Sequence, residues 1–320
     1  MKILITGAAG FVGRWAIRQF SGDGAEIHAA MMPAELLPPQ EQTLCTVHHF
    51  DILSAAETSA LLQAVRPDCI LHLAAQSSVA VSWEQPQMTA AVNITGTLNL
   101  LEAAKALPEM PSILLTGSAE EYGTLRPEQI PVSEDTPLHP GNIYAATKAA
   151  AEQLAMVYQQ ACCLPVICVR AFNHIGPGQR ETFAVADFCR QAAEIEAGLH
   201  EAVIRTGNLA AKRDFTDVRD IVRAYALLLQ KGTAGQCYNI GSGNAVALSE
   251  IMEMIRAQCR RPFTVMTDQK RLRPVDVPVI AADTAKLRRD TGWAPQIPLR
   301  QTIADILDDR RSALKGAGHT

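Results

Sequence analysis

No Cys-x-x-Cys pair occurs in this chain of 320 residues, and its eight cysteines (45, 69, 162, 163, 168, 189, 237 and 259) form no zinc-like grouping with histidine. No metal is therefore expected. A disulfide framework is equally unexpected, because a chain of this length that is 48% hydrophobic buries a sizeable core without cross-links. Five of the cysteines fall in apolar runs and are expected in that core as reduced thiols of a cytoplasmic protein. No apolar run approaches the roughly 18 residues needed to span a bilayer, so no membrane partner is expected. Met1–Ile5 resembles the start of a signal peptide only superficially, since Thr6 and Gly7 interrupt it before an apolar core forms. Internal repeats, low-complexity tracts and long linkers are absent too.

A basic surplus is also missing: the net charge is −4, which argues against nucleic acid as a partner. The charge is nevertheless uneven. Residues 1–200 hold 10 Lys/Arg against 20 Asp/Glu, while residues 201–320 hold 19 against 13. The positive second part is where an anionic ligand is expected.

What the chain does contain is an alternation of strand and helix. Lys2–Thr6, Glu26–Met31, Thr43–Phe50, Cys69–Leu73, Ser112–Thr116 and Pro165–Arg170 read as short apolar strands separated by Ala- and Leu-rich helical stretches. Strands this apolar are buried on both faces, which implies a parallel sheet flanked by helices. The expected class is α/β: a Rossmann-like doubly wound sheet with a smaller C-terminal α/β substrate domain. A helix over Val218–Gln230 and a strand over Gln236–Ile240 suggest one return to the first domain. The boundaries are then 1–172 plus about 218–241 for the first domain, and 173–217 plus 242–320 for the second.

Between the first strand and first helix lies Thr6-Gly7-Ala8-Ala9-Gly10-Phe11-Val12-Gly13. Three glycines permit a tight turn, close backbone approach to a pyrophosphate and packing of helix on strand, and the helix N-terminus then faces the phosphates. A dinucleotide cofactor is expected here. NAD is usually selected by an acid ending the second strand, but that place holds Met31-Met32-Pro33. NADP is favoured, with Arg14 in reach of a 2′-phosphate or else simply solvated on its helix, and NAD is also admitted. Asp51 and Ile52 either receive the adenine or, for Asp51, cap the next helix.

Tyr144 and Lys148 stand four apart on one helical face, where an ammonium would lower the phenol's pKa from its usual value of about 10. Ser118, at the carboxyl edge of the sheet, offers a hydroxyl to a substrate carbonyl.

The glycine loop, Asp51-Ile52, His72-Leu73-Ala74-Ala75, Asn93, Gly96-Thr97, Ser118, Tyr144 and Lys148 together resemble the extended short-chain dehydrogenase/reductase family over essentially the whole chain. The resemblance implies that Tyr144 passes the proton and that Lys148 also grips the nicotinamide ribose. It places Gly7, Gly10, Phe11, Val12, Gly13, Arg14, Asp51, Ile52, Leu73, Ala74, Ala75, Asn93, Thr116 and Phe172 at the cofactor. It also implies a nucleotide-sugar substrate and a homodimer through helices near 87–107 and 143–161.

Arg170–Gln179, Gly207-Asn208-Leu209, Arg213–Asp220 and Arg273–Val277 look most like the GDP-mannose branch, whose ligand is a GDP-sugar. By resemblance Ser77, Ser78, Asn173, Asn208, Arg213, Arg273 and Asp276 meet the substrate, with Asp276 standing where relatives commonly carry glutamate. Within the branch, 4,6-dehydratases follow the fifth strand with Thr and then Asp-Glu or Ser-Glu. This chain has Ser118-Ala119-Glu120-Glu121, which lacks the acid at Ala119 and keeps Glu120 at the place of the base. The expectation is reduction of a 4-keto-6-deoxy GDP-sugar, with a dehydratase or epimerase as alternative. A regulatory NADP sensor is disfavoured, because such relatives typically lose the tyrosine or lysine that is present here.

Overall fold

A computed structural model describes residues 1–271 and 278–317; Arg273 and Asp276 lie outside the described residues. Its centre is a seven-stranded sheet in which every pairing is parallel. The strands are β1 (Lys2–Thr6), β2 (Glu26–Met31), β3 (Thr46–His49), β4 (Cys69–His72), β5 (Ser112–Ser118), β6 (Val166–Ala171) and, after two excursions, β10 (Cys237–Ile240). Their order is β10-β6-β5-β4-β1-β2-β3. The chain runs outward from β1 through β2 and β3, then restarts at β4 and runs the other way. The carboxyl ends of β1 and β4 therefore flank a topological switch, where a crevice opens.

Helices cover both faces. On one, α1 (Phe11–Gly22) and α9 (Val218–Lys231) bury Ile17, Phe20, Ile221, Tyr225 and Leu228 against β1, β2 and β10. On the other, α3 (Ala55–Val65), α6 (Gly96–Lys105) and α7 (Ile143–Cys162) bury Leu61, Leu62, Leu100, Leu101 and Ala155 against β4, β5 and β6. Two short helices, α4 (Val79–Glu84) and α5 (Pro86–Ala90), lead through a π turn at Ala91–Thr95 into α6. One strand departs from expectation. Three of the four β3 residues are exposed, because the strand forms the sheet edge and is not buried on both faces.

Beyond β6, the strands β7 (Asn173–Ile175), β9 (Lys212–Asp217) and β11 (Ala245–Ala247) form a second sheet, and β8 (Val203–Thr206) pairs with β12 (Thr264–Thr267). Helices α8 (Ala184–Glu196), α10 (Leu248–Arg256) and α12 (Leu299–Ala317) close a separate core of Phe188, Ile204, Phe215, Ile251, Ile303 and Leu307. Between these pieces the chain returns to the large sheet through α9 and β10. Only Cys69, Cys168 and Cys189 are fully buried, fewer than the five expected, and all eight cysteines are free thiols. Among the described residues, no helix is long and apolar enough to cross a membrane.

Candidate active site

The crevice is built first by the glycine loop. Gly7 has φ +66°, and a Cβ there would lie 2.8 Å from the Ala74 nitrogen, so the exit of β4 passes directly against it. A Cβ on Gly13 would lie 2.5 Å from the Ala8 carbonyl, so α1 starts hard against its own loop. Gly10 caps α1 without a side chain, leaving the first-turn N–H groups of Phe11, Val12 and Gly13 for an anion. The Phe11 ring stacks on His174 with centroids 6.2 Å apart.

Arg14 is engaged elsewhere than expected. Its guanidinium donates to the Gly178 carbonyl at 2.8 Å while Trp15 Nε1 donates to Pro177 at 3.1 Å, so the residue straps α1 to a remote loop and is neither solvated nor a ready phosphate ligand. At the end of β2 the structure adds a carboxylate that sequence reading missed. Glu35 folds back to accept the Met32 N–H at 3.1 Å. Four positions past β2, it falls outside the usual motif spacing.

Behind the loop runs a buried polar chain. Thr6 Oγ1 and His72 Nδ1 are 2.7 Å apart, and His72 Nε2 lies 3.1 Å from Thr97 Oγ1. Burial, then the neighbouring Lys148 charge, hold the His72 pKa down to about 3, so the ring is neutral. Thr116 donates to the His72 carbonyl at 2.7 Å. The Asn93 amide accepts the Gln76 N–H at 2.8 Å and donates to Thr147 at 2.9 Å. Both residues, expected at the cofactor, thus fix the β4 exit and α7 from behind. Leu73, Ala74 and Ala75 line that exit half-buried, with Ile52 against Gly96. Ser54 caps α3, which leaves Asp51 exposed at the β3 exit.

The reactive group sits where α7 begins. Asn142 caps that helix by accepting the Ala145 N–H at 2.8 Å, and its amide donates to Glu120 at 3.0 Å, pinning α7 to the turn Ala119–Tyr122 that follows Ser118. Tyr144, on the first turn of α7, is hydrogen-bonded to the Ser118 side chain. Lys148, one turn on, is buried. Burial pushes the Tyr144 phenol above its usual range; Ser118 opposes the shift while Glu121 and Glu120 add to it. Burial likewise pushes Lys148 down, opposed by Glu121. The expected lowering of the phenol by Lys148 is therefore not what this protein alone achieves: desolvation dominates, and the ammonium faces Glu121 and His72.

The GDP-mannose 4,6 dehydratase family profile matches residues 4–306. The chain belongs to that family. A GDP-6-deoxy-D-mannose reductase of Pseudomonas aeruginosa is 33% identical, with 98% of each chain covered. GDP-mannose 4,6 dehydratase 2 of Arabidopsis thaliana is 29% identical over 99% of this chain and 90% of its own. The solved structure of RMD from Pseudomonas aeruginosa complexed with NADPH superposes with a TM-score of 0.85 at 32% identity, covering 98% of this chain and 99% of that one.

Family membership orders the remaining residues. Asn173 is exposed on β7, and Arg213 is half-buried on β9, donating to the Lys212 carbonyl at 2.9 Å. Asn208 is exposed, and its side chain accepts the Ala210 N–H at 3.0 Å. Ser77 is exposed, while Ser78 caps α4. Phe172, expected at the cofactor, is instead fully buried and packs on Tyr122 with centroids 6.4 Å apart. The aspartates of the 213–220 run are structural ties. Asp214 accepts backbone N–H groups of Ser242, Gly243 and Ala282, Asp217 caps α9, and Asp220 accepts those of Gln296 and Ile297. Arg170 is chelated by Glu152, with Nε to Oε2 at 3.0 Å, and is closed to phosphate.

Proposed function

We propose that the protein reduces the 4-keto group of GDP-4-keto-6-deoxy-D-mannose with NADPH, giving GDP-6-deoxy-D-mannose (GDP-D-rhamnose). One observation carries the choice of reduction over elimination. Ala119, buried beside Ser118, supplies no acid, and Glu120 is held by the amide that caps α7.

The crowded Gly7 and Gly13 backbones and the uncapped start of α1 fit a dinucleotide pyrophosphate. Bound NADPH supplies the hydride, and NADH is also accepted because the β2 exit holds no arginine. Tyr144 gives its proton to the developing alkoxide, and its raised pKa suits that task, since a donor must be protonated at neutral pH. Ser118 orients the carbonyl and Lys148 grips the nicotinamide ribose. Arg213, Asn173 and Asn208 attend the diphosphate end of the sugar nucleotide. The protein acts in the cytoplasm as a homodimer through α5, α6 and α7, consistent with Val157 on α7 being 58% exposed and Met88 on α5 36% exposed.

The test supplies NADPH with GDP-4-keto-6-deoxy-D-mannose and follows loss of reduced-nicotinamide absorbance. A 4-keto product from GDP-mannose alone, without added reductant, would establish the dehydratase reading instead, for which Glu120 keeps the place of the base. NADPH binding with neither turnover would favour a sensor.

A further inference from the structure

Beside Ser118 lies a second acid that no step above uses. Glu121 is fully buried in the turn after β5. Its Oε1 accepts the Ser118 N–H at 2.6 Å, but its Oε2 has no hydrogen-bond partner. Arg170 Nε stands 4.0 Å from that oxygen, yet its guanidinium is already committed to Glu152, Tyr122 and the Glu134 carbonyl. β5 leaves room for the carboxyl only because residue 117 is glycine: a Cβ there would sit 2.5 Å from Oε1.

The groups facing Glu121 are Tyr144, Lys148 and Glu152 from α7, Arg170 and Cys168 from β6, Cys237 from β10 and Glu120 from its own turn. Arg170 and Glu152 neutralise each other. That leaves Glu121 and Lys148 as the remaining pair of buried ionisable groups, and neither charge is tolerable there alone.

We infer that Glu121 is a positioning residue that shares one buried proton with Lys148, keeping the pair neutral overall whether it stands as carboxylate and ammonium or as acid and amine. The proton moves between Oε2 of Glu121 and Nζ of Lys148, and nothing is gained or lost by the pair. Burial and Glu152 push the Glu121 carboxyl upward, while burial pushes Lys148 downward, so the two affinities for the proton converge. Through Lys148, Glu121 governs the charge presented to a bound nicotinamide ribose. This last step rests on the cofactor reading above; the pairing itself does not.

The test is a double-mutant cycle on melting temperature in the cofactor-free protein, using Glu121→Gln, Lys148→Met and both together. Glutamine keeps an oxygen for the Ser118 N–H, so a purely structural role predicts additive losses. Sharing of the proton predicts that the double variant regains at least half of the summed loss. Additive losses would overturn the inference. A second readout is NADPH affinity against pH: Glu121→Gln should bring its alkaline fall at least one pH unit closer to neutral, and an unmoved fall in a protein that binds NADPH would also overturn it. If the wild-type protein does not bind NADPH, the cofactor reading fails, and the melting cycle alone still decides the role of Glu121.

Discussion

The Glu35 carboxylate accepts the Met32 N–H at 3.1 Å, which sets a negative charge at the exit of β2 where Met31-Met32-Pro33 carries none. An acid at this exit favours a ribose 2′-hydroxyl and repels a 2′-phosphate. Glu35→Gln should therefore raise the preference for NADPH over NADH by roughly two- to fivefold, the scale of one partly exposed charge at short range. Arg14→Ala should leave that ratio unchanged, because its guanidinium serves Gly178. Dissociation constants of both variants for both cofactors check the pair of statements.

Tyr144→Phe keeps the ring and removes the hydroxyl that meets Ser118. Turnover with the keto sugar should fall by about a hundredfold or more, as expected for loss of a general acid, while NADPH affinity changes less than about twofold. Stopped-flow reduction and a cofactor titration separate the two. Unchanged turnover would remove Tyr144 from the chemistry.

Arg170 and Glu152 form a bidentate pair buried between β6 and α7. Arg170→Ala should destabilise the protein by about 3–5 kcal/mol by leaving the Glu152 charge alone. Replacing both residues with apolar side chains should recover much of that loss. Chemical denaturation of the single and double variants measures it.

The sheet, the glycine loop and the pairing of Tyr144 with Lys148 were legible because each rests on local spacing: apolar runs, three glycines, and positions four apart on one helix. The arginines were not. Arg14 and Arg170 read as phosphate ligands from composition, yet each is bound by a partner far along the chain, Gly178 and Glu152 respectively. Lys148 was read as a tuner of Tyr144 from their spacing, which carries no information on how deeply both are buried. Glu121 was visible as half of an acidic pair. Only the fold shows that one neighbour turns toward Asn142 and the other into the core.

The second core has its own acid-sensitive clamp. Glu196, ending α8, accepts two hydrogen bonds from Arg311 on α12, both at 2.7 Å, and the Arg260 N–H at 2.6 Å. Burial alone would raise its pKa, but the Arg311 guanidinium and the Arg260 N–H outweigh that and hold it down to about 2. A carboxyl whose pKa falls on folding stabilises the protein fully above its unfolded value near 4.5, and that contribution disappears as pH drops toward 2. The shift corresponds to about 2–3 kcal/mol, or a few degrees in melting temperature for a chain of this size. Glu196→Gln should accordingly melt lower than wild type at pH 7. The gap should narrow between pH 4.5 and pH 2, because only the wild type loses an ion pair there. Parallel melting curves across that range, with a constant gap, would show that Glu196 acts by packing and not by charge.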